Sequence, residues 1–369
     1  MFKALESYLY QQYLCTKMLG DTQKTYLTKS SKRAAERYLD AQRWLLREGV
    51  FCSFYFAWGL NAKHADLSGY IGRREFLKLK ALAEKEILRQ NQLEGFNYEV
   101  LTKDKFVAGS YLEANGIPCV PQHGIMVRGE YQSIEKDQRG LVDLFEHERE
   151  LFFKSVSLEA GDGVINARLS GPEVIVEERH HAWHEFLSRL RDGVWSVQSK
   201  VVSHEAIRTV NSSALNTTRI VTIRRGLGPA YLTGFQAFAT GNATMDSWGK
   251  GSVYVGIDIA SGCLKEHGFH NLAEPVQSVS TCHPDSGIVF KGYRIPYLLE
   301  AVELCLRAHR LYYNNFVIGW DVAITDSGPV IVEANEKPGM NAVQCVDGGL
   351  RKKILECYEK LIATTKEDR

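Results

Sequence analysis

The chain of 369 residues has 44% hydrophobic and 24% charged residues. That is the composition of an ordinary globular protein with room for roughly two or three domains. A formal net charge of +1 gives no electrostatic reason to expect nucleic acid or a membrane surface as a partner. Eight cysteines are scattered without a CxxC pair, which is typical of free thiols in a reducing compartment. No stretch has the length of a membrane span or the pattern of a signal peptide, so we expect a cytoplasmic protein without a transmembrane segment.

Residues 1–95 are expected to form a helical region. Apolar residues recur there at spacings of three and four, and a charged helix is predicted from Arg73 to Gln92. Residues 1–90 hold 16 Lys and Arg against 9 Asp and Glu, a surplus of +7 that leaves −6 for the rest of the chain. This surplus is typical of a solvated helical surface. The region holds no catalytic motif, and we expect a helical cap that packs on the rest of the protein or docks a partner.

Positively charged residues follow in places where a cation is costly. A short helix that ends at Asn115-Gly116 is predicted within residues 101–121, and Lys103 and Lys105 lie before it or in its first turn, where the helix dipole disfavours cations. Either one of these two lysines has an anionic partner or both are solvated. Lys154 lies in the middle of the apolar strand predicted for residues 151–156, so it either has an anionic partner or lies on an edge strand. After Lys154, Gly161 and Gly163 permit a turn whose backbone N–H groups could surround a phosphate.

The middle of the chain alternates strands and polar motifs. A strand at residues 173–178 precedes a predicted helix at residues 179–193, on which His180 and His184 could hold a metal or form an exposed face. The next strand, residues 195–202, carries Gln198. Arg219 then enters a β-branched strand, where it should meet a bidentate anion or an ion-pair partner. Residues 231–240 are the expected partner strand, the glycine-rich loop 241–256 follows, and a helix is predicted for residues 297–310.

A hairpin near the C-terminus carries the strongest signal. Strands at residues 316–324 and 330–335 flank a turn centred on Ser327, which places Asp321 opposite Glu333. Period-two alternation predicts one face with Asp321, Glu333 and Asn335 and another with Trp320, Val322, Val330 and Val332. Facing carboxylates repel unless a cation lies between them, and two carboxylates with an amide oxygen suit Mg²⁺. The alternative is the solvated polar face of an edge hairpin.

In this order the motifs resemble the ATP-grasp superfamily and, more narrowly, the sugar-transfer associated ATP-grasp family. The resemblance is carried by Lys154 with Gly161 and Gly163, Asn216-Thr217-Thr218-Arg219, His283-Pro284-Asp285-Ser286-Gly287, Gly319-Trp320-Asp321 and Glu333-Ala334-Asn335-Glu336-Lys337-Pro338-Gly339-Met340. It implies an α+β protein with the ATP-grasp fold, in which two α+β subdomains clasp ATP. We assign residues 96–198 to the first subdomain and residues 199–369 to the C-terminal one, after the helical region of residues 1–95.

The resemblance also implies roles for the site residues. Lys105 and Lys154, with the loop of Gly161 and Gly163, would approach the phosphates of ATP, and the strand around Gln198 would face adenine. Asp321, Glu333 and Asn335 match positions that hold Mg²⁺, and Arg219 matches an arginine near the transferred phosphate or acyl phosphate.

The expected activity is an ATP- and Mg²⁺-dependent ligase that joins a carboxylate to an amine through an acyl phosphate, in glycan or secondary-metabolite biosynthesis. Alternatives are a small-molecule kinase and a non-catalytic ATP-binding partner of a glycan-assembly enzyme. The expected partners are a small-molecule carboxylate and an amine; assembly into a homo-oligomer is left open.

Overall fold

A computed structural model of the protein describes residues 2–21, 31–134, 139–157, 163–246, 251–270 and 278–367. The helices are α1 (Phe2–Asp21), α2 (Ala34–Glu48), α3 (Arg73–Gln90), α4 (Val100–Lys103), α5 (Lys105–Ala114), α6 (Leu141–Glu148), α7 (Trp183–Arg189), α8 (Glu205–Val210), α9 (Leu298–Leu311), α10 (Met340–Asp347) and α11 (Arg351–Glu367), with a 3₁₀ turn at Leu67–Gly69. The strands are β1 (Gln122–Val127), β2 (Glu130–Ser133), β3 (Glu150–Ser155), β4 (Val164–Ser170), β5 (Glu173–Val176), β6 (Arg179–Ala182), β7 (Val194–Ser199), β8 (Thr218–Arg225), β9 (Gly228–Phe238), β10 (Val253–Asp258), β11 (Cys263–His270), β12 (Ser278–Ser280), β13 (Val317–Thr325) and β14 (Gly328–Asn335).

The first sheet has the order β2-β1-β7-β3-β4-β5-β6, and all of its pairs are antiparallel. One face packs on α6 and α7, where Phe153 meets Phe186 with ring centroids 5.3 Å apart. Side chains alternate across a strand, so Lys154 on β3 points away from this core. Because β3 lies between β7 and β4, the edge-strand explanation of Lys154 is excluded.

The helix predicted for residues 179–193 is wrong in its first four residues. Arg179–Ala182 is a strand that pairs with β5, and Glu177 and Glu178 form the turn with φ of 51° and 61°. Positive φ at both central residues is the hairpin geometry usually marked by Asn-Gly, a signal that this turn lacks. His180 therefore lies on a strand, where its Nδ1 is 2.8 Å from Glu173 Oε2, while His184 lies on α7. Within the described ranges, no cluster of three or more His, Cys, Asp or Glu side chains could hold a metal.

The second sheet has the order β12-β11-β10-β9-β8-β13-β14. One face packs on α9 in a core that includes Trp320 and Ile331. The other face carries Val221 and Phe316 and is covered by α10, α11 and the N-terminal helices, which contribute Trp44 and Ile87 to the same core. The helical region thus packs directly on the sheet that carries the hairpin.

The hairpin β13–β14 pairs Asp321 with Glu333, the register that the sequence predicts. A β-bulge at Val332 changes the alternation beyond that pair, because Val322 then faces Ile331 and Ala323 faces Val330. Ile331 is buried beside Trp320 and Val322, whereas Val332 is half-buried. The prediction that Val330 and Val332 share the Trp320 face is therefore wrong.

All eight cysteines are free thiols. None of the described helices combines the length and apolar character required for crossing a bilayer.

Candidate functional site

A row of charged side chains crosses three neighbouring strands of the second sheet. Arg219 on β8 pairs with Asp321 on β13, and Asp321 pairs with Glu333 on β14. Cross-strand partners point to the same face, so all three side chains lie on the face opposite α9. Asn335 joins them, because its Nδ2 donates to Asp321 Oδ2 over 3.1 Å.

Arg219 and Asp321 form a bidentate ion pair. The Nε–Oδ1 distance is 2.5 Å and the Nη2–Oδ2 distance is 3.0 Å. Burial acts against the charged guanidinium, but the charge and hydrogen bonds of Asp321 are enough to raise the pKa of Arg219 above its usual value. The sequence allows Arg219 either a bidentate anion or an ion-pair partner within the protein, and in the structure its partner is the carboxylate of Asp321.

Glu333 is held in an electrostatically unfavourable place. Burial and, next, the charge of Asp321 raise the pKa of Glu333, while Lys105, Lys154 and Arg219 act in the opposite direction. Its nearest cation is Lys105, with Nζ 3.8 Å from Glu333 Oε1. A divalent cation between the two carboxylates would remove this repulsion, and two carboxylates with an amide oxygen are ligands that Mg²⁺ prefers. The residues present therefore fit the predicted metal.

Lys154 and Lys105 bring positive charge from outside the second sheet. Burial lowers the pKa of Lys154, and the neighbouring Lys105 lowers it further, whereas Glu333 and Asp321 raise it. Lys105 opens α5, whose N-terminus is capped by Asp104, and its backbone N–H donates to Val156 O just beyond β3. Two lysines beside a pair of repelling carboxylates form a binding site that suits an anion together with a bound cation.

Gln198 lies on β7, an interior strand of the first sheet, and is paired with Phe152 and Gln122. It is 3% exposed, and its Oε1 has no hydrogen-bond partner within the described part of the chain. It lines a cavity of about 20 Å³ together with Lys105, Val332 and Glu333. An unpaired acceptor at such a place is costly unless a ligand or water donates to it.

The loop between β3 and β4 is described only at its ends. Gly163 has φ of 76°, a conformation that favours glycine, and its carbonyl accepts from Ser155 N over 2.8 Å. This bond closes the loop beside Lys154. Gly161 lies outside the described residues.

Asp246 is a further charged residue of this region that no sequence motif indicates. Its Oδ2 accepts from Thr217 N over 2.5 Å and from Thr217 Oγ1 over 2.7 Å. Burial raises the pKa of Asp246 to about 6 against the effect of those bonds, and Asp321 adds to the rise. The aspartate was visible in the glycine-rich loop, but its partner is 29 positions away and the loop gives no periodic signal.

Two other motif residues brace the same region. Asn216 Oδ1 accepts from Ala239 N over 2.8 Å, and His283 Nε2 lies 2.9 Å from Ala239 O. Both side chains are fully buried, so they fix the end of β9 and the loop that follows it.

Comparison with known proteins places this arrangement in a family. Residues 90–359 match the family described as sugar-transfer associated ATP-grasp, so the chain belongs to that family and has the predicted α+β, ATP-grasp fold. No curated protein matches. Similar solved structures include the D-alanine–D-alanine ligase of Coxiella burnetii, with 13% identity, 91% of this chain and 83% of that chain covered, and a TM-score of 0.41. Another is the D-Ala:D-Ser ligase VanG of Enterococcus faecalis, with 13% identity, 71% and 61% covered, and a TM-score of 0.40.

Proposed function

We propose that this protein is an ATP- and Mg²⁺-dependent ligase that joins a carboxylate to an amine through an acyl phosphate. The observation that carries the proposal is the row Arg219, Asp321 and Glu333, faced by Lys154 and Lys105. Such a set neutralises phosphate charge with the cations and holds a divalent ion with the carboxylates, which is most of what phosphoryl transfer requires of a protein.

The reaction has two steps. A carboxylate oxygen of the first substrate attacks the γ-phosphorus of ATP, the bond to the β–γ bridging oxygen breaks, and ADP leaves. The amine then attacks the carbonyl carbon of the acyl phosphate, a C–N bond forms, phosphate leaves with the carboxylate oxygen, and a proton is released from nitrogen. Because phosphoryl transfer is mainly a matter of position and charge, the first step needs no nucleophile from the protein.

Each side chain has a proposed part in this chemistry. Lys105 and Lys154 bind the phosphates, and backbone N–H groups of the segment with Gly161 and Gly163 donate to them. The unpaired Gln198 Oε1 is suited to accept a hydrogen bond from the exocyclic amine of adenine. Arg219 stabilises negative charge on the transferred phosphoryl group, because its guanidinium lies beside Asp321, one of the proposed metal ligands.

Asp321, Glu333 and Asn335 would hold Mg²⁺. The ion supplies charge neutralisation for the phosphates when it is bound. Asn335 orients Asp321, because its Nδ2 donates to Asp321 Oδ2. The γ-phosphate of ATP then lies on the face of the sheet that carries the two carboxylates.

The proposal is tested with ATP, Mg²⁺, hydroxylamine and a broad panel of carboxylates. Hydroxylamine converts an acyl phosphate into a hydroxamate, so the physiological amine need not be known. We expect stoichiometric ADP and hydroxamate with at least one carboxylate, and loss of both in Glu333→Gln. Glu303→Gln, which changes an exposed residue of α9 on the far face of the sheet, is the matched control and should retain activity.

ADP without hydroxamate, together with a stable phosphorylated product, would make the protein a kinase instead. Absence of Mg²⁺-dependent ADP formation across the whole panel would contradict both activities.

A further inference from the structure

A second cavity, of about 470 Å³, lies between α3 and the end of the hairpin. This volume is within the range of pockets that bind small molecules. One face of α3 forms a wall, with lining residues at the helical spacing 77, 80, 81, 84 and 88. The opposite wall contains Glu336 and Lys337, which directly follow the proposed metal ligand Asn335.

The cavity lies within the reach of a small molecule from the proposed site. Glu336 is three residues beyond Glu333, which corresponds to about 10 Å along an extended chain. The α3 wall precedes residue 90, where the family match begins. The cavity is therefore built partly from a region that belongs to this chain and lies outside the matched segment.

The charges in the cavity do not suit an anion. The lining holds two lysines, Lys80 and Lys337, against three glutamates, Glu84, Glu99 and Glu336. Both lysines are already paired: Lys80 Nζ is 2.6 Å from Glu84 and 3.6 Å from Glu336, and Lys337 Nζ is 3.1 Å from Glu336. Lys103, outside the lining, contacts Glu99 and lies 3.9 Å from Glu336. No surplus positive charge is left for a phosphate or a carboxylate.

Hydrogen-bond acceptors, in contrast, are available. Asn314 lines the cavity and is 7% exposed, and its Oδ1 has no partner in the described part of the structure, although its Nδ2 donates to Asn315. Lys80 Nζ contacts one oxygen of Glu84, and Phe316 N donates to the other over 3.0 Å, yet burial still raises the pKa of this carboxyl group. An unpaired amide oxygen and a carboxylate that burial disfavours suit a ligand that donates hydrogen bonds, in a cavity whose own charges are balanced.

The open side is aromatic. Phe96 is exposed and lies 6.2 Å from Tyr98 between ring centroids, and both line the cavity. They offer an apolar contact for the body of a ligand whose polar end reaches Asn314 and Glu84.

We propose that this cavity binds the amine substrate, a polar primary amine of small-molecule size, and presents it to the acyl phosphate. The proposal rests on the ligase function proposed above. The ammonium group lies among Glu84, Glu336 and Asn314 in the resting complex, and the helical region thereby supplies the acceptor half of the active site.

The test fills the cavity without touching the charged network. Ala81 and Leu82 are adjacent, exposed residues of α3, but only Ala81 lines the cavity. Ala81→Trp should block the amine, and Leu82→Trp is the control that places the same side chain at an exposed position of the same helix outside the cavity. Hydroxylamine is small enough to reach the acyl phosphate from solvent, so hydroxamate formation should stay near the wild-type rate in both variants.

With an amine from a panel of amino acids, amino sugars and polyamines, Ala81→Trp should raise the KM for the amine at least about tenfold or abolish amide formation. The same panel is tested for binding by thermal shift, where the wild type and Leu82→Trp should be stabilised and Ala81→Trp should not. Ala81→Arg is the second variant, because arginine is a good helix former and its charge repels an ammonium.

The outcomes separate the two proposals. A wild type that forms no hydroxamate with any carboxylate contradicts the ligase function, whatever the cavity does. Hydroxamate formation in the wild type, with amide formation and its KM unchanged in both Ala81 variants, overturns the cavity assignment. Equal loss of hydroxamate and amide formation in folded Ala81 variants overturns it as well. So does a thermal-shift panel in which no amine stabilises the wild type more than the Ala81 variants.

Discussion

Replacing Glu333 by Gln should change stability in opposite directions with and without Mg²⁺. Burial and Asp321 raise the pKa of Glu333, so its proton is held more tightly in the folded than in the unfolded state. A carboxyl group whose pKa is higher in the folded state than in the unfolded state stabilises the fold while it is protonated. This stabilisation is lost as the pH rises from the unfolded-state pKa through the folded-state pKa. At pH 7 the ionised side chain therefore destabilises the metal-free protein, and neutral glutamine should relieve that strain.

The size of the effect follows from the pairing of Glu333 with Asp321 across β13 and β14. Cross-strand pairs contribute roughly 0.2–1 kcal/mol, which corresponds to a rise of about 1–3 °C in Tm for Glu333→Gln in EDTA. With Mg²⁺ and ATP the order should reverse, because a ligand at 100 times its Kd stabilises the wild type by about 2.7 kcal/mol and the variant has lost a metal ligand. Turnover should fall by on the order of 10²-fold or more.

Differential scanning calorimetry with EDTA, with Mg²⁺ and with Mg²⁺ plus ATP measures the Tm of the wild type and of Glu333→Gln in each condition. Glu303→Gln is again the control and should follow the wild type in every condition. Two results would refute the placement of the metal between these carboxylates. One is a Glu333→Gln variant with a lower Tm than the wild type in EDTA, and the other is a variant whose Tm rises as much as that of the wild type when Mg²⁺ and ATP are added.

Further predictions concern the neighbouring charges. Arg219→Lys keeps the charge but loses the bidentate pair with Asp321, so kcat should drop by about 10²-fold while ATP binding persists; an unchanged kcat in steady-state assays would contradict the role of the arginine. Lys154→Met removes a half-buried ammonium whose pKa burial lowers, so ATP affinity measured by calorimetry should fall without loss of thermal stability; a large drop in Tm would show that Lys154 is structural. Burial raises the pKa of Asp246 to about 6, so the wild type should lose stability relative to Asp246→Asn as the pH rises from about 4 to 6. Urea denaturation measures this difference, and a difference in stability that does not change over that pH interval would contradict the buried position of Asp246.

The sequence predicts the catalytic half of the site well because its signals are local. The turn at Ser327 and the β-branched strand that carries Arg219 are both recognisable in the sequence. The turn pairs Thr325 with Gly328, and the bulge at Val332 then brings Glu333 opposite Asp321, which is the pair that a hairpin centred on Ser327 predicts. That Asp321 is the partner of Arg219 depends on strand order, which no spacing reveals, since the two residues are 102 positions apart.

The errors arise where one residue changes the local geometry. The bulge at Val332 sends Ile331 into the core in its place, and a bulge leaves no mark in a run of Val and Ile. The turn at Glu177 and Glu178 adopts positive φ without glycine or asparagine, so the sequence indicates a helix where the structure has a strand around His180.

The second cavity could not be predicted for another reason. Its walls come from α3 and from Glu336, which are brought together only by the packing of the helical region on the second sheet. In the sequence, the stripe through Lys80 and Glu84 is typical of a solvated helix face with an i,i+4 ion pair. The long-range contacts of Lys80 with Glu336 and of Glu84 with Phe316 N distinguish the two interpretations.

The central claim is that a substrate carboxylate is activated by phosphoryl transfer, and oxygen-18 labelling tests it most directly. The carboxylate identified with hydroxylamine is supplied with both oxygens labelled, together with ATP, Mg²⁺ and its amine. An acyl phosphate requires one labelled oxygen to leave with the phosphate, so we predict one ¹⁸O atom in each inorganic phosphate released. Unlabelled phosphate from a reaction that still forms the amide would contradict the proposed mechanism.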